Sequence, residues 1–185
     1  MTTIPELFDL TGRAAIVTGG ASGLGQYYAQ ALIGAGADVF VVSRSEKGWQ
    51  ELRQFAAQHG RQVVFMTQDL TAEQAAINVI TEFKKHFESL DILINNAGVQ
   101  IRNDIVSYRD EDWQKVIDIN LNALYYLSHE AAKVMITQKS GKIINIGSMQ
   151  SFRAGKYIYP YAASKHAVVG LTKAYADALA PYEIG

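Results

Sequence analysis

The chain has 185 residues, a formal net charge of −1 and a pI near 6.4. This length allows one domain with a substantial core, and the near-neutral charge, without a local cluster of Lys and Arg, argues against a nucleic-acid partner. The absence of cysteine excludes disulfides and thiolate metal sites. The first residues resemble neither a leader sequence nor a membrane span. We therefore expect a cytoplasmic protein that has no metal site and no membrane partner.

Short apolar runs alternate with segments of helical periodicity along the whole chain. The runs predict strands at 13–17, 38–43, 62–67, 91–95 and 142–147. The segments between and after them predict helices at 23–36, 47–60, 72–88 and 110–138, and a last helix that begins at Pro160. The strand runs are apolar throughout, as in parallel sheets covered by helices on both faces. The sequence therefore predicts one doubly wound, Rossmann-type α/β domain over residues 1–185, with too few units for a TIM barrel.

The first predicted strand is followed by the glycine-rich turn TGGASGLG. Its glycines, Gly19, Gly23 and Gly25, allow the backbone to approach a pyrophosphate, and the following helix offers free N–H groups and the positive end of its dipole. The turn lacks the Lys-Ser/Thr ending of a triphosphate-binding loop. By itself such a turn can also be a tight connection whose glycines permit close packing. Its position between a strand and a helix favours a dinucleotide site.

The end of the second predicted strand bears on the choice between NAD and NADP. In this class of fold an acidic residue there binds the adenosine ribose, whereas an arginine accommodates a 2′-phosphate. The strand ends in Ser43 and Arg44, and the first acidic residue after it is Glu46. The sequence therefore favours NADP over NAD. The alternative is that Arg44 is a solvated surface charge without a role in cofactor binding.

The segment YIYPYAASK places Tyr161 and Lys165 four residues apart on one face of the last predicted helix. An ammonium about 4 Å from a phenol, at an effective dielectric constant of about 20, stabilises the phenolate by roughly 4 kcal/mol. Such a pair suits proton exchange with an alcohol or a carbonyl group. The spacing alone is common, and it also fits an interfacial tyrosine beside a lysine whose stem packs on apolar surface.

Five segments resemble, in order and spacing, the short-chain dehydrogenase/reductase family: TGGASGLG, NNAG at 95–98, the Asn120 segment VIDINLNALYYLS, IINIGS ending at Ser148, and YAASK. The resemblance implies that Tyr161 gives or takes the proton while Lys165 activates it and binds the nicotinamide ribose. It also implies that Ser148 binds the substrate oxygen and that Asn120 holds a water of a proton relay. Asp69 is expected to bind the adenine amino group. The implied contacts with NAD(P) are Gly19, Ala21, Ser22, Gly23, Leu24, Gly25, Ser43, Arg44, Asp69, Leu70, Asn96, Ala97, Gly98, Tyr161 and Lys165.

Within this family, FDLTGR, NNAGVQIR and GKIINIGSMQSF resemble the gluconate and 2-deoxy-gluconate dehydrogenase group. Arg102 and Arg153 follow the fourth and fifth predicted strands, and a guanidinium suits two-point recognition of a carboxylate. We therefore expect a small-molecule substrate that is an acidic sugar. The expected contacts are Arg102, Ser148, Gln150, Arg153 and Tyr157. A neutral polyol or ketone stays open, since both arginines fit solvated loop charges as well.

The family fold extends beyond the point that corresponds to Gly185, with two further strands, a Pro-Gly segment near the nicotinamide and a substrate lid. The sequence thus predicts a C-terminally incomplete domain, and an inactive dinucleotide-binding remnant is the alternative to an enzyme. The helix 110–138 and the last helix resemble the pair through which family members form dimers and tetramers. A homo-oligomer is expected on that basis, with part of its apolar face supplied by Ala163, Ala167, Val168 and Leu171.

Overall fold

The computed structural model describes residues 7–185. The start of the chain, where the sequence predicts no leader, lies outside the described residues. Five parallel strands form one sheet in the order β3-β2-β1-β4-β5. They are β1 (Ala14–Thr18), β2 (Asp38–Ser43), β3 (Val63–Thr67), β4 (Ile92–Asn95) and β5 (Lys142–Asn145). The strand order reverses between β1 and β4, which is the switch point of a doubly wound, Rossmann-type sheet. The predicted fold class is confirmed.

The helices that cover the sheet follow the strands in turn. Within residues 7–185 they are α1 (Gly23–Gly34), α2 (Trp49–Gln58), α3 (Ala75–Phe83), α4 (Asp110–Ile117), α5 (Ala123–Gln138) and α6 (Tyr159–Leu179). None of these helices is long and apolar enough to cross a bilayer. Helix α6 begins one residue before the predicted Pro160, which lies in the first turn, where its missing N–H removes no hydrogen bond.

Two predicted helices differ from those in the structure by more than two residues at an end or by an interruption. The helix expected at 110–138 contains a π-helical turn, Asp118–Asn122, that separates α4 from α5. The helix expected at 72–88 is shorter. Gln74, directly before α3, adopts a left-handed backbone conformation (φ 63°), and α3 ends at Phe83. Both differences lie at places where hydrophobic periodicity continues through a local change of backbone geometry.

The core lies in two layers, one on each face of the sheet. Successive residues of β1 alternate between them, so that Ile16 packs with α3 and α5, whereas Val17 packs with α1 and α2. Both side chains are fully buried, and full burial of an aliphatic side chain contributes about 1.5–3 kcal/mol. The continuous apolar runs of the central strands thus result from burial on both faces.

Asp91 ties the amino ends of β1 and β4 together, at the edge of the sheet opposite the glycine loop. Its carboxylate accepts hydrogen bonds from the Ala14 N–H (2.9 Å), the Ser89 hydroxyl (2.7 Å) and the Arg13 guanidinium (2.8 Å). Burial alone would raise the pKa of Asp91, but these three bonds together outweigh it and hold the pKa below its usual value. This edge of the sheet is therefore fixed by a structural carboxylate.

Candidate active site

The loops that follow β1, β2, β4 and β5 meet at the carboxyl edge of the sheet. The loop after β1 contains two residues, Gly19 (φ 65°) and Gly23 (φ 54°), in the left-handed conformation that glycine adopts without strain. A side chain on Gly25 would collide with the Gly19 carbonyl, and one on Gly19 would lie 3.0 Å from the Asn96 amide nitrogen. Glycine is required here because this loop packs directly against the loop after β4.

The amino end of α1 is open to an anion. Ser22, the residue before α1, has an extended backbone, and its side chain does not cap the helix. The first turn of α1 contains no acidic residue. Its backbone N–H groups and the positive end of the helix dipole are thus available at the glycine loop, which fits the pyrophosphate of a dinucleotide.

A cleft of about 430 Å³ runs along this edge of the sheet. It is lined by Gly19, Ser22, Leu24, Val42, Ser43, Arg44, Ser45, Gln68, Leu70, Asn96, Ala97, Gly98, Val99 and Ile119. The structure therefore brings together most of the residues predicted to bind the cofactor. Two others, Ala21 and Gly25, are buried behind the loop. The remaining four, Gly23, Asp69, Tyr161 and Lys165, do not line this cleft.

Asp69 lies beside an adjoining cavity of about 400 Å³, which it lines with Arg44, Lys115 and Asp118. One carboxylate oxygen of Asp69 accepts hydrogen bonds from the Thr71 N–H (3.0 Å) and the Thr71 hydroxyl (2.8 Å). The backbone bond first and the hydroxyl bond second hold the pKa of Asp69 below its usual value. Asp69 is therefore an ionised acceptor, and its second oxygen has no hydrogen-bond partner within residues 7–185.

Thr18 is a residue of this site that the sequence analysis missed. Its hydroxyl oxygen accepts hydrogen bonds from the N–H groups of Asn96 and Ala97, both 3.0 Å long, and donates to the Ile94 carbonyl at 3.3 Å. The Asn96 amide nitrogen also donates to the Thr18 carbonyl at 2.9 Å. Thr18 is the first residue of TGGASGLG, but its role depends on the pairing of β1 with β4, which the motif does not reveal.

Asn120 lies in the π turn between α4 and α5 and is 1% exposed. Its amide oxygen accepts a bond from the Val99 N–H (2.8 Å), and its amide nitrogen donates to the Val99 carbonyl (3.0 Å) and to the Ser164 hydroxyl (3.2 Å). Both amide hydrogens are thus used, and only one lone pair of the oxygen is left for a water. The side chain of Asn120 braces the loop after β4 against α6.

Lys165 is buried (6% exposed), although it carries the charge that the candidate chemistry needs. Its ammonium donates a hydrogen bond to the Ile146 carbonyl at 2.5 Å and lies 5.9 Å from the centre of the Tyr161 ring. Burial lowers the pKa of Lys165. Tyr161 lies one turn earlier on α6 and is partly exposed. Helix α6 thus presents the partly exposed phenol of Tyr161 next to the buried ammonium of Lys165.

Ser148 follows β5 two residues after the carbonyl that holds Lys165. Its hydroxyl accepts a bond from the Gln150 N–H (3.1 Å), and its own N–H donates to the Ser151 hydroxyl (3.1 Å). Within residues 7–185 the Ser148 hydroxyl donates to no protein group. Its hydrogen is available to a substrate oxygen.

The five residues predicted to contact the substrate lie in the loops after β4 and β5, outside the 430 Å³ cleft. Arg102 and Arg153 are exposed, and Tyr157 is 39% exposed. The amide oxygen of Gln150 is buried close to Gly155 and has no hydrogen-bond partner in the part of the chain that the structure describes. In this arrangement the amide oxygen of Gln150 does not face solvent, whereas both arginines do.

Known proteins resemble the chain over nearly its whole length. The family model for short chain dehydrogenases matches residues 13–185. YgcW of Escherichia coli K12, an uncharacterised oxidoreductase, is 46% identical over 97% of this chain and 68% of its own length. The 2-dehydro-3-deoxy-D-gluconate 5-dehydrogenase of Bacillus subtilis 168 is 40% identical over 93% of this chain and 67% of its own length.

A solved structure shares the fold. It is a gluconate 5-dehydrogenase from Burkholderia cenocepacia J2315 in complex with NADP and tartrate, which matches with a TM-score of 0.90 at 34% identity, over 98% of this chain and 71% of its own length. Together with a glycine loop that fits a pyrophosphate and a lysine buried beneath a surface tyrosine, these matches show that the chain belongs to the short-chain dehydrogenase family of NAD(P)-dependent oxidoreductases.

Proposed function

We propose that this protein interconverts a secondary alcohol and a ketone of a sugar acid such as gluconate or 2-deoxy-gluconate, within one dinucleotide-binding and catalytic domain. The observation that supports the proposal most is the position of the Lys165 ammonium, which lies 5.9 Å from the centre of the Tyr161 ring and donates to the Ile146 carbonyl, two residues before Ser148. The names of the Bacillus subtilis and Burkholderia cenocepacia relatives support the choice of a sugar acid. The bound cofactor supplies the hydride chemistry, so the protein has to orient the substrate and move one proton.

In this proposal Ser148 donates its free hydroxyl hydrogen to the reacting oxygen of the substrate, and Tyr161 gives or takes the proton. The Lys165 ammonium is 6% exposed and lies 5.9 Å from the centre of the Tyr161 ring, so it stabilises the negative charge that develops on the Tyr161 oxygen during proton transfer. The bond from Lys165 to the Ile146 carbonyl keeps that charge in place. Asn120 contributes by bracing the loop after β4.

We further propose that NADP is the preferred cofactor. No acidic residue stands at the end of β2, and Arg44 lines both the main cleft and the adjoining cavity. A guanidinium there would form charge-assisted bonds with a 2′-phosphate. The NADP in the Burkholderia cenocepacia structure is in line with this preference.

A homo-oligomer is part of the same proposal. Tyr125 and Tyr126, which are adjacent on α5, are 41% and 58% exposed, so this helix presents two aromatic side chains at the surface. On α6, Ala163 is exposed and Leu171 is half-buried, whereas Val168 is 2% exposed and belongs to the interior. The exposed part of these two helices is the surface on which we expect a second copy to pack.

Arg102→Ala is the variant that tests the acidic substrate. Arg102 is exposed in the loop after β4, and a charge-assisted hydrogen bond to a carboxylate contributes about 1.5–3 kcal/mol. We expect kcat/KM for gluconate to fall at least about tenfold, with turnover of the matching neutral sugar alcohol unchanged. The measurement is the rate of NADP reduction with both substrates.

The exposed Arg53 on α2 provides the matched control. Arg53→Ala removes the same charge away from the proposed site and should leave both rates at their wild-type values. Equal losses on the acid and on the neutral substrate in Arg102→Ala would contradict carboxylate recognition. Absence of turnover with every sugar acid, despite binding of NADPH, would favour the inactive dinucleotide-binding alternative.

A further inference from the structure

The backbone of Tyr157 is strained. Its φ is 69°, in the left-handed region that bulky residues rarely adopt. Within residues 7–185 the other non-glycine residues with such a φ are Gln74, Lys139 and Glu183, and all three flank helix ends. Strain of this kind persists where the surrounding structure fixes the residue, and it is concentrated at binding sites.

Asn103 is the residue that fixes Tyr157. Its N–H donates a hydrogen bond to the Tyr157 carbonyl at 3.1 Å. The side chain of Asn103 is itself held, because it accepts a bond from the Asp104 N–H (2.9 Å) and donates to the Ser107 carbonyl (2.9 Å). The loop after β4 is therefore joined to the loop after β5. Arg102, which directly precedes Asn103, is brought to the loop that contains Tyr157.

The aromatic ring of Tyr157 is in contact with a cation, the ammonium of Lys156, that no sequence motif predicted. The ammonium of Lys156 lies 4.8 Å from the centre of this ring, a cation–π geometry that restrains an otherwise mobile side chain. Within residues 7–185 neither Lys156 nor Arg102 forms an ion pair. The carboxylate of Asp104, two residues after Arg102, accepts a hydrogen bond from the Val106 N–H (3.2 Å). Two unpaired cations thus lie on two joined loops.

We propose that Lys156, held over the Tyr157 ring, determines substrate specificity by binding the carboxylate of an acidic sugar together with Arg102. This inference rests on the proposed function and deepens it. Tyr157 acts as a positioning residue, since its left-handed backbone and its bond to Asn103 set the ring on which the ammonium rests. A carboxylate has two oxygens, and each cation can take one of them.

The test uses Lys156→Gln, with gluconate and the neutral sugar alcohol glucitol as probes. We expect KM for gluconate to rise about tenfold, while kcat, the dissociation constant of NADPH and turnover of glucitol stay at wild-type values. Calorimetric titration of gluconate into the NADPH complex should show the same loss of affinity. Lys84→Gln removes another exposed lysine, beside the end of α3, and serves as the control without effect.

Two variants of Tyr157 separate the ring from its hydroxyl. Tyr157→Leu removes the ring and should raise KM for gluconate in the same direction as Lys156→Gln, whereas Tyr157→Phe keeps the ring and should raise KM for gluconate less than Tyr157→Leu does. Circular dichroism verifies that both variants are folded. An unchanged KM for gluconate in Lys156→Gln, or equal changes with gluconate and glucitol, overturns the inference.

The result with the wild-type protein distinguishes this inference from the proposed function. A wild type that binds and converts gluconate while Lys156→Gln behaves identically removes the role of Lys156 alone. A wild type that neither binds nor converts any sugar acid removes the proposed substrate class, and the role of Lys156 with it.

Discussion

At the scale of single residues, Thr18 shows how one hydroxyl group holds a loop of the cofactor cleft. It is 2% exposed and lies at the end of β1. Its hydroxyl oxygen accepts hydrogen bonds from the N–H groups of Asn96 and Ala97, which belong to the loop that lines the cleft. Without this hydroxyl the Ala97 N–H would lose its acceptor, and the Asn96 N–H would keep only its 3.2 Å bond to the Ile94 carbonyl.

Thr18→Val is the variant that tests this role. Valine has the same shape but no hydroxyl, so the Ala97 N–H stays unpaired and the Asn96 N–H loses one of its two acceptors. We expect the free energy of unfolding to fall by about 2 kcal/mol. Affinity for NADPH should fall as well, because the loop at 96–98 loses its fixed position. Urea unfolding and fluorescence titration with NADPH measure the two effects. Thr18→Ser keeps the hydroxyl and should retain most of both properties, and a similar loss in both variants would argue against the hydrogen bonds.

At the scale of secondary-structure elements, the π turn between α4 and α5 marks the limit of prediction from the sequence. Hydrophobic periodicity across residues 110–138 predicts one helix, and the structure has a continuous helical segment whose hydrogen bonding changes at Asp118–Asn122. A π turn occupies a single turn and occurs mostly at functional sites. It leaves no signal in the spacing of apolar residues. The position of Asn120 was therefore predictable from its motif, whereas its bonds to Val99 and Ser164 were not.

Helix α5 also presents the surface proposed for self-association. Tyr126 is 58% exposed on this helix, and Tyr126→Glu would place a charge in the proposed interface, where it would be desolvated without a partner. We expect the wild-type protein to sediment as a dimer or tetramer and the variant to shift toward the monomer. Sedimentation velocity measures the change.

Tyr27 on α1 offers the matched control for that experiment. It is 68% exposed and belongs to a helix that packs on the opposite face of the sheet. Tyr27→Glu should leave the sedimentation coefficient unchanged. A wild-type monomer, or an equal shift in both variants, would contradict an interface on α5.

At the scale of the whole molecule, the order of apolar runs was sufficient to predict the sheet, because a parallel strand buried on both faces is apolar at every position. This holds for β1 except at its last residue, Thr18, since all five of its residues are buried and the first four are apolar. It does not hold for β5, an edge strand in which Lys142 is exposed and Ile144 is 45% exposed. The contacts between loops, such as Asn103 with Tyr157, could not be predicted, because they depend on how distant loops meet once the sheet is formed.

Binding of a nucleotide should be measurable as stability of the whole chain. A ligand at one hundred times its dissociation constant stabilises the native state by about 2.7 kcal/mol, which for a chain of this length raises Tm by roughly 5–10 °C. We expect NADPH to raise Tm more than NADH does at equal concentration.

In Arg44→Ala the affinity for NADPH should fall about tenfold, which reduces the Tm shift with NADPH by about 3–6 °C, whereas the Tm shift with NADH should not change. Differential scanning fluorimetry measures these values, with Arg53→Ala as the variant of unchanged response. Equal shifts with both nucleotides in the wild type, or equal losses with both in Arg44→Ala, would rule out recognition of the 2′-phosphate by Arg44.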